Sequence, residues 1–257
     1  MLHPNAVKRK LASGGTAVGT IVQVPHPLIV EACGRAGFDF VILDEEHGAL
    51  GPDRLADMIR AAEVAHVTPL VRVSENRAPL ILQALDQGAG GVVIPGVRSA
   101  DEARAAVDAA KYAPAGHRGY CSAVRSAGLI GDRAAMERAN AETMVILLIE
   151  HREAVDAFEA MLDVPGVDVV FIGPGDLSHS LGVPGQLAHP VVQDTVGRLI
   201  SMAARRGRCA GVHVKRPEDA DRYLRLGARF LNYGMDIQVI AQAFIDIVRQ
   251  VERLGPQ

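Results

Sequence analysis

The sequence predicts an α/β protein folded as a single (β/α)8 barrel over residues 1–257, and three observations support this fold class. Short apolar runs alternate along the chain with longer segments whose apolar residues recur every three to four positions, the pattern of strands followed by helices. Hydrophobic residues make up 49 % of the chain, but Trp is absent and aromatic residues are only 4 %. The core must therefore be mainly aliphatic, as in parallel strands covered by helices. The length also suits one such barrel.

Eight runs rich in β-branched residues have the composition of buried parallel strands. In chain order they cover residues 16–24, 38–43, 68–73, 91–94, 144–149, 167–172, 209–214 and 229–233. A helix is predicted after each strand, and the clearest helical patterns cover residues 54–65, 78–87, 101–110 and 237–254. Because this unit repeats eight times without a low-complexity linker, a closed barrel in one domain is the simplest arrangement.

The residues that flank these segments fit the same arrangement, since helix starts favour proline or a hydroxyl side chain and helix ends favour glycine. The predicted helix starts carry Pro27, Pro52, Ser99, Pro190 and Pro217, and glycine precedes or opens strands at Gly37, Gly90, Gly166 and Gly227. An open doubly wound sheet is the alternative. No Gly-x-Gly-x-x-Gly motif follows the first strand, which favours the barrel.

One connection is longer than the others. Residues 111–131, which include Arg118 and Ser122, precede a short predicted helix at residues 132–140. Loops of this size in compact domains are usually functional. We therefore expect this loop to form part of the barrel mouth or to contact a neighbouring subunit, with Ser122 among the substrate-binding residues.

Charge and cysteine content exclude several classes of protein. The net charge is −3 and charged residues are 22 % of the chain, so nothing favours nucleic acid as a partner. Cys33, Cys121 and Cys209 lack the spacing of a disulfide framework or zinc site, and we expect buried thiols in a reducing compartment. The first residues lack an apolar signal core, and no segment reaches the roughly 18 apolar residues of a membrane span. A cytoplasmic protein is predicted.

Ionisable residues follow several of the predicted strands. Asp44-Glu45-Glu46-His47 ends the second strand, Arg72 lies near the end of the third, and Glu150 follows the fifth. The sixth strand opens into Gly173-Pro174-Gly175-Asp176, and His213 lies in the seventh. In a (β/α)8 barrel these strand ends converge on one mouth. The alternative for each residue is structural, for example a helix-starting Glu150 or a tight turn at residues 173–176.

Together these residues predict metal-assisted enolisation of a 2-oxo acid. Glu150 and Asp176 are hard oxygen ligands suited to Mg2+, Mn2+ or Co2+ when water and substrate complete the coordination. Arg72 would face the oxygen that gains negative charge. His47 suits proton transfer because a histidine side chain ordinarily titrates near about pH 6.5.

Two further contributions complete this predicted site. Asp44 or Asp86 could orient the ring of His47. The turn at Gly173, Pro174 and Gly175 offers backbone N–H groups to a carboxylate or phosphate.

Several motifs resemble those of the metal-dependent (class II) pyruvate aldolases, in the 4-hydroxy-2-oxoheptanedioate and 2-dehydro-3-deoxy-galactarate aldolase group. They are Asp44-Glu45-Glu46-His47-Gly48, Val71-Arg72-Val73, Gln83-Ala84-Leu85-Asp86-Gln87-Gly88-Ala89, Ile149-Glu150 and Phe171-Ile172-Gly173-Pro174-Gly175-Asp176-Leu177. Their order and spacing match that group over nearly the whole chain.

The resemblance implies reversible cleavage of a 4-hydroxy-2-oxo acid to pyruvate and an aldehyde, with a role in carbohydrate or aromatic catabolism. It implies one divalent cation per subunit on Glu150 and Asp176, proton transfer by His47 with Asp44 and Asp86, and enolate stabilisation by Arg72. It also implies that the last helix swaps within a dimer and that three dimers form a hexamer.

Three positions depart from that group. Leu148 stands where a glutamine is common, which removes one polar contact near the cation. Gly175 replaces the usual Ala or Ser, which loosens the carboxylate seat. His213 stands where an apolar pocket residue is more usual, and we expect it to bind substrate and to change the preference for the aldehyde.

Three alternatives remain open on the sequence alone. Lys215 could form a Schiff base, since it lies just past a strand end. The chain could cleave an acyl-CoA, like relatives of citrate lyase, although no basic patch suited to the CoA phosphates is evident. It could also bind a 2-oxo acid without turnover.

Overall fold

Eight parallel strands close into a barrel in the order β1-β2-β3-β4-β5-β6-β7-β8 in the computed structural model, which describes residues 4–131 and 133–254. The strands are β1 Ala17–Val22, β2 Phe40–Asp44, β3 Thr68–Arg72, β4 Gly91–Ile94, β5 Met144–Ile149, β6 Val169–Ile172, β7 Ala210–Val214 and β8 Ala228–Met235. All eight predicted strands are confirmed, two with identical bounds and the others with ends shifted by at most two residues, and the (β/α)8 class is confirmed with them.

The helices lie between the strands and after the last one. They are α1 Ala6–Ala12, α2 Pro27–Ala36, α3 Pro52–Val64, α4 Ala78–Asp86, α5 Ala100–Ala110, α6 Arg133–Glu142, α7 Arg152–Asp156, α8 Phe158–Leu162, α9 Pro174–Ser180, α10 Pro190–Arg205, α11 Pro217–Arg225 and α12 Asp236–Glu252. In the described part of the chain, none of them is both long and apolar enough to cross a membrane.

The predicted helix starts are confirmed by the helix caps. The Ser99 side chain accepts a hydrogen bond from the backbone N–H of Glu102, and proline occupies the first position of α2, α3, α10 and α11. Gly37 ends α2 with a φ of 90°, a left-handed conformation that favours glycine. The sequence did not predict α1, which closes the N-terminal end of the barrel with the buried side chain of Val7.

Side chains alternate between the barrel interior and the layer beneath the helices, as strand geometry requires. The lower interior is apolar: the rings of Phe40 and Phe230 stack at 4.1 Å between centroids, and Phe171 packs edge-on against Phe230 at 5.6 Å. Gly19 is required beside them because a Cβ there would lie 2.3 Å from the ring of Phe40. Apolar side chains therefore fill the barrel interior from its N-terminal end, and the polar layer lies at the C-terminal ends of the strands.

The long connection lies at the N-terminal rim, opposite the barrel mouth. Helix α5 carries the chain from one rim to the other, and Lys111 directly after it donates to the backbone oxygen of Thr143 at 2.6 Å, just before β5. Arg118 pairs with Asp86 at 2.7 Å. The expectation that this loop forms the mouth is wrong within one subunit, because only the loops that follow strands lie at that end.

The cysteines are free thiols, as expected, but only two of them are shielded. Cys33 is buried and Cys209 is partly buried, and burial raises the pKa of both thiols, to about 11 and about 12 respectively. Cys121 is exposed because it lies in the loop at the N-terminal rim, so the expectation of burial is wrong for it. The short helix predicted at residues 132–140 exists as α6, while Asp132 lies outside the described residues.

Candidate active site

Inward-facing polar side chains form one layer at the C-terminal ends of the strands. Asp44 lies opposite Arg72 in the register of β2 and β3, and His213 lies opposite Asn232 in the register of β7 and β8. Glu150 follows β5 directly. The predicted convergence of strand ends is thus observed for Asp44, Arg72, Glu150 and His213.

The centre of this layer is a buried ion pair between Asp44 and Arg72. Arg72 Nε donates to Asp44 Oδ1 at 2.9 Å, and Arg72 Nη2 donates to Asp44 Oδ2 at 2.8 Å. The two side chains are 0 % and 8 % exposed. Arg72 Nη1 also lies 3.1 Å from Glu46 Oε2. This bidentate geometry fixes the guanidinium plane more tightly than a single contact could.

Further donors hold Asp44 in place. Gln23 Nε2 donates to Asp44 Oδ2 at 2.9 Å, and the backbone N–H groups of Glu46 and His47 donate to Oδ1 at 3.1 and 3.3 Å. The carboxylate of Asp236, at the start of α12, accepts from the backbone N–H of Gln23 at 3.0 Å. The position of Arg72 is therefore linked through Asp44 and Gln23 to the base of the last helix.

These contacts keep the pair ionised. Burial alone would raise the pKa of Asp44, but the hydrogen bonds and positive charge of Arg72 outweigh burial and hold it below the ordinary value of 3.8. Burial likewise opposes the charge of Arg72, but the Asp44 carboxylate, with Glu46 and Glu150, raises the pKa of the guanidinium. A buried charge of this kind is stable only with such a partner.

A cavity of about 740 Å³ opens at the mouth, and Glu46, His47, Glu150 and Asp176 all line it. Glu150 Oε1 accepts from the backbone N–H of Gly96 at 2.8 Å. Burial, with a smaller contribution from the negative charges of Glu46 and Asp176, raises the pKa of Glu150 to about 7, although the Gly96 N–H and the charge of Arg72 oppose the rise. The site therefore concentrates more negative charge than one arginine offsets.

This concentration of negative charge favours a cation. Glu150 and Asp176 offer two hard oxygen donors on neighbouring strand ends. Within residues 4–131 and 133–254, no group of three or more His, Cys, Asp or Glu side chains is arranged to hold a metal ion. The protein donors thus fit an ion whose remaining coordination comes from water and substrate oxygens.

The turn at the start of α9 differs from the prediction in one respect. The backbone N–H of Gly173 donates to the oxygen of Ile149 at 3.1 Å, so it is not available to a substrate carboxylate. Pro174 has no N–H and is buried. The first-turn N–H groups of Gly175 and Asp176 lack acceptors within the helix, and open space surrounds Gly175, since a Cβ there would meet nothing within 4 Å.

Two predicted site residues do not reach this mouth. Asp86 is the last residue of α4, and it pairs with Arg118 at the N-terminal rim. Ser122 lies in the loop at the same rim, where its backbone oxygen accepts from Gly131. The expectation that Asp86 or Asp44 orients the His47 ring is wrong within one subunit, because Asp44 contacts only the backbone of His47.

The His47 ring instead faces Glu46. Its Nε2 lies 3.9 Å from Glu46 Oε2, and the side chain is 58 % exposed. Burial raises the pKa of Glu46 despite the opposing charges of Arg72 and His47. The ring therefore stands at the solvent edge of the site beside a carboxyl that can accept or release a proton.

Several residues of the site were missed by sequence reasoning. The side chain of Gln23 donates to Asp44, and Asp236 accepts from the backbone N–H of Gln23, so both contacts exist only because β1 lies between β2 and β8 in the closed barrel. His151 and His179 also line the cavity. The signal available for both histidines was position, since each follows a strand end within a few residues.

Lys215 is exposed beyond the end of β7. A lysine that forms a Schiff base is usually activated by an apolar pocket or a nearby cation, and exposure argues against the first of these. The Schiff-base alternative therefore gains no support.

Comparison with known proteins agrees with the fold and shows the family of the chain. Residues 19–243 match the model of the family described as HpcH/HpaI aldolase/citrate lyase. A 4-hydroxy-2-oxo-heptane-1,7-dioate aldolase of Escherichia coli is 36 % identical over 242 residues, which is 93 % of this chain and 92 % of the relative.

Two solved structures have the same fold as this chain. An HpcH/HpaI aldolase/citrate lyase family protein from Burkholderia cenocepacia superposes with a TM-score of 0.92 at 29 % identity, covering 96 % of this chain and 99 % of that one. The citrate synthase SbnG superposes with a TM-score of 0.88 at 31 % identity, covering 97 % and 98 % of the two chains.

The buried ion pair gives a direct stability prediction. Asp44→Asn leaves Arg72 buried opposite a neutral amide, so we expect the free energy of unfolding at pH 7 to fall by about 3 kcal/mol or more. Because folding lowers the pKa of Asp44, this contribution is complete above the unfolded value near 3.8 and is lost as the pH falls through the folded value. Urea unfolding of EDTA-treated protein at one fixed protein concentration measures it.

Asp53→Asn is the matched control, since the Asp53 side chain is 81 % exposed. We expect a change within about 0.5 kcal/mol for this surface substitution. Equal stability of the two variants at pH 7 would contradict the role given to the Asp44–Arg72 pair.

Proposed function

The chain belongs to the HpcH/HpaI aldolase/citrate lyase family and is an aldehyde-lyase, and from this premise we propose that it cleaves 4-hydroxy-2-oxo acids reversibly to pyruvate, or a close 2-oxo acid, and an aldehyde. A divalent cation, Mg2+, Mn2+ or Co2+, is part of the proposal. One observation carries it: Glu150 and Asp176 line the same cavity as Glu46, and Glu46 lies 3.1 Å from the guanidinium of Arg72 that the bidentate Asp44 contact fixes.

The cation would rest on Glu150 and Asp176. When bound, it would act as a Lewis acid that polarises the 2-oxo group and gathers the substrate oxygens. The raised pKa of Glu150, caused by burial and by the negative charges of Glu46 and Asp176, supports this assignment because a cation relieves the same repulsion.

The residues of the chain supply the remaining steps. In the cleavage direction His47 takes the proton of the C4 hydroxyl, the C3–C4 bond breaks, and its electron pair moves to the C2 oxygen of the enolate. Arg72 faces that developing negative charge with a fixed guanidinium, so little reorganisation is needed. The proton taken by His47 then passes to C3, which gives pyruvate and restores the neutral His47, and the aldehyde leaves from the mouth.

The start of α9 would hold the pyruvate carboxylate. The N–H groups of Gly175 and Asp176 have no acceptor within the first helical turn, and Gly175 leaves room for the carboxylate to approach. Gly173 cannot donate to the carboxylate, because its N–H is already bonded to the backbone oxygen of Ile149. Its contribution is the space left by the missing side chain.

Acyl-CoA chemistry is the second candidate, because the name of one structural relative is citrate synthase. A CoA thioester carries phosphate groups that proteins usually bind with Lys or Arg. Among the described residues that line the cavity there is no Lys or Arg. The aldolase reaction is therefore the better match for this mouth.

Two treatments test the proposed function. EDTA should abolish pyruvate formation from 4-hydroxy-2-oxo acids, and excess Mg2+, Mn2+ or Co2+ should restore it. Glu150→Gln should lower kcat/KM by at least about a hundredfold, and it should weaken Mn2+ binding in a titration followed by electron paramagnetic resonance.

Glu153→Gln is the matched control for this substitution, because Glu153 lies outside the cavity in α7. It should leave both activity and Mn2+ binding unchanged. Full activity in excess EDTA would reject the metal-dependent mechanism, and turnover of an acyl-CoA with no turnover of any 4-hydroxy-2-oxo acid would favour the second candidate.

We also propose that the protein acts as a homo-oligomer assembled through α12, with a hexamer of three dimers as the expected state. Of the residues in α12, only Asp236 is buried. The large exposed apolar side chains of this helix and its end are Ile237, Val239, Phe244, Ile245, Ile247, Val248, Val251 and Leu254. An apolar face of this extent marks a contact with another chain, and a second copy offers the same surface by symmetry.

Assembly would also explain the two residues that lie away from the mouth. Asp86 and Ser122 could serve a substrate only if a neighbouring subunit placed its N-terminal rim over this mouth. The proposed site residues at that rim therefore depend on the oligomer.

Light scattering after size exclusion tests this assembly. The wild-type protein should elute as an oligomer, and Phe244→Glu combined with Val248→Glu should reduce the mass because two charges enter the apolar face. Gln242→Glu combined with Gln238→Glu adds the same charge to polar positions of α12 and should leave the mass unchanged. A monomeric wild-type protein at micromolar concentration would contradict the proposal.

A further inference from the structure

A second cavity opens at the N-terminal end of the barrel, at the rim opposite the proposed catalytic mouth. Its volume is about 370 Å³, and its walls come from α1, from the segments that precede β6 and β7, and from the first residues of β5 and β8. The stacked rings of Phe40, Phe171 and Phe230 fill the barrel between this cavity and the mouth. This volume suits a small molecule, and a ligand here would be separate from the substrate.

The walls of this cavity carry an excess of positive charge. Lys8, Arg208 and Arg229 line it from three different parts of the chain, and Asp168 is the one carboxylate among the described lining residues. Both oxygens of Asp168 are already engaged: Oδ2 accepts from the backbone N–H of Val145 at 2.8 Å, and Oδ1 lies 3.1 Å from Lys8 Nζ. Three positive charges and one negative charge leave the walls with a net charge of +2.

The two arginines keep most of their hydrogen-bond donors unused. Arg208 Nη2 donates to the backbone oxygen of Val164 at 2.8 Å, and Arg229 Nη1 donates to that of Gly14 at a long 3.4 Å. Within residues 4–131 and 133–254, neither guanidinium makes a further hydrogen bond or pairs with a carboxylate. A guanidinium has five N–H donors, so each arginine can still bind two oxygens of a phosphate or carboxylate group.

The surroundings of Lys8 increase the positive charge behind the wall. Lys8 Nζ and Lys111 Nζ both donate to the backbone oxygen of Thr143, at 3.3 and 2.6 Å. Burial and the charge of Lys8 lower the pKa of Lys111 to about 8, although the charge of Asp168 opposes the fall. Two neighbouring ammonium groups repel each other, and an anion in the cavity would reduce the cost of this repulsion.

We propose that this cavity binds a small dianion that carries phosphate or carboxylate groups. Arg208 and Arg229 donate to its oxygens, and Lys8 supplies the third positive charge. The ligand would connect α1 to the starts of β7 and β8, so its binding should stabilise the folded protein. The site lies outside the proposed catalytic machinery and does not depend on the aldolase reaction.

Isothermal titration calorimetry of the full-length protein tests this site, in a chloride buffer of constant ionic strength. Inorganic phosphate is the ligand in one arm and succinate in the other. We expect one site per subunit for at least one of them, and tighter binding of phosphate or of succinate identifies which oxyanion the cavity prefers. Arg229→Gln should weaken the Kd of that ligand about tenfold or more, because a charged, two-point contact is lost.

Two further variants show that this loss reflects recognition of an anion. Arg229→Lys keeps the positive charge without the planar fork and should lose less affinity than Arg229→Gln. Arg35→Gln is the matched control, because Arg35 is an exposed residue in the last turn of α2, at the same rim, and lines neither cavity. It should bind with the wild-type Kd.

Thermal melting gives a second readout that also reports folding. The preferred anion should raise the melting temperature of the wild-type protein and of Arg35→Gln, but not that of Arg229→Gln. Arg229 is exposed, so we expect Arg229→Gln to fold and to form pyruvate at the wild-type rate in anion-free buffer.

Two results would overturn the proposal. One is a wild-type protein that binds neither phosphate nor succinate, and the other is an equal Kd for the wild-type protein and Arg229→Gln. Neither result bears on the aldolase reaction, because Arg229 does not line the catalytic mouth.

Discussion

The buried pair of Asp44 and Arg72 is the constraint on which the site depends. A guanidinium that is 8 % exposed keeps its charge, and the carboxylate of Asp44 offsets the cost of burying it. Asp44 is fixed in turn by Gln23 and by two backbone N–H groups. The barrel supplies this arrangement because β2 and β3 place the two residues directly opposite each other. Every chemical role proposed for Arg72 follows from this fixed position.

Around that pair one side of the mouth carries acidic side chains, and the other side carries the neutral imidazole of His213. Glu46, Glu150 and Asp176 face one cavity, and their mutual repulsion contributes to the raised pKa of Glu150, which makes a cation the natural complement. On the neutral side, burial and the positive charges of Lys215 and Arg72 lower the pKa of His213 to about 4. The acidic side therefore suits a cation, and the imidazole of His213 on the other side is neutral at pH 7.

The strands could be predicted from sequence because runs such as Phe40–Asp44 are apolar up to their last residue and contain β-branched side chains. The convergence of Arg72 and Glu150 followed from the barrel rule for strand ends. The prediction that Asp86 lies at the barrel mouth was wrong because Asp86 ends a helix, and the helices return the chain to the opposite rim. Gln23 gave no signal, since its role depends on contacts with Asp44 and Asp236 that arise only when the barrel closes. Long-range pairing of this kind is not visible in local patterns.

The central claim is that the residues gathered at one mouth convert pyruvate into its enolate. The most direct measurement follows the methyl protons of pyruvate by 1H NMR in D2O, with Mg2+-loaded protein and no aldehyde present. We expect the methyl signal to disappear through exchange with solvent deuterium, and to persist when Arg72→Leu replaces the wild-type protein. Pyruvate that binds to the wild-type protein while its methyl signal stays constant would contradict the claim.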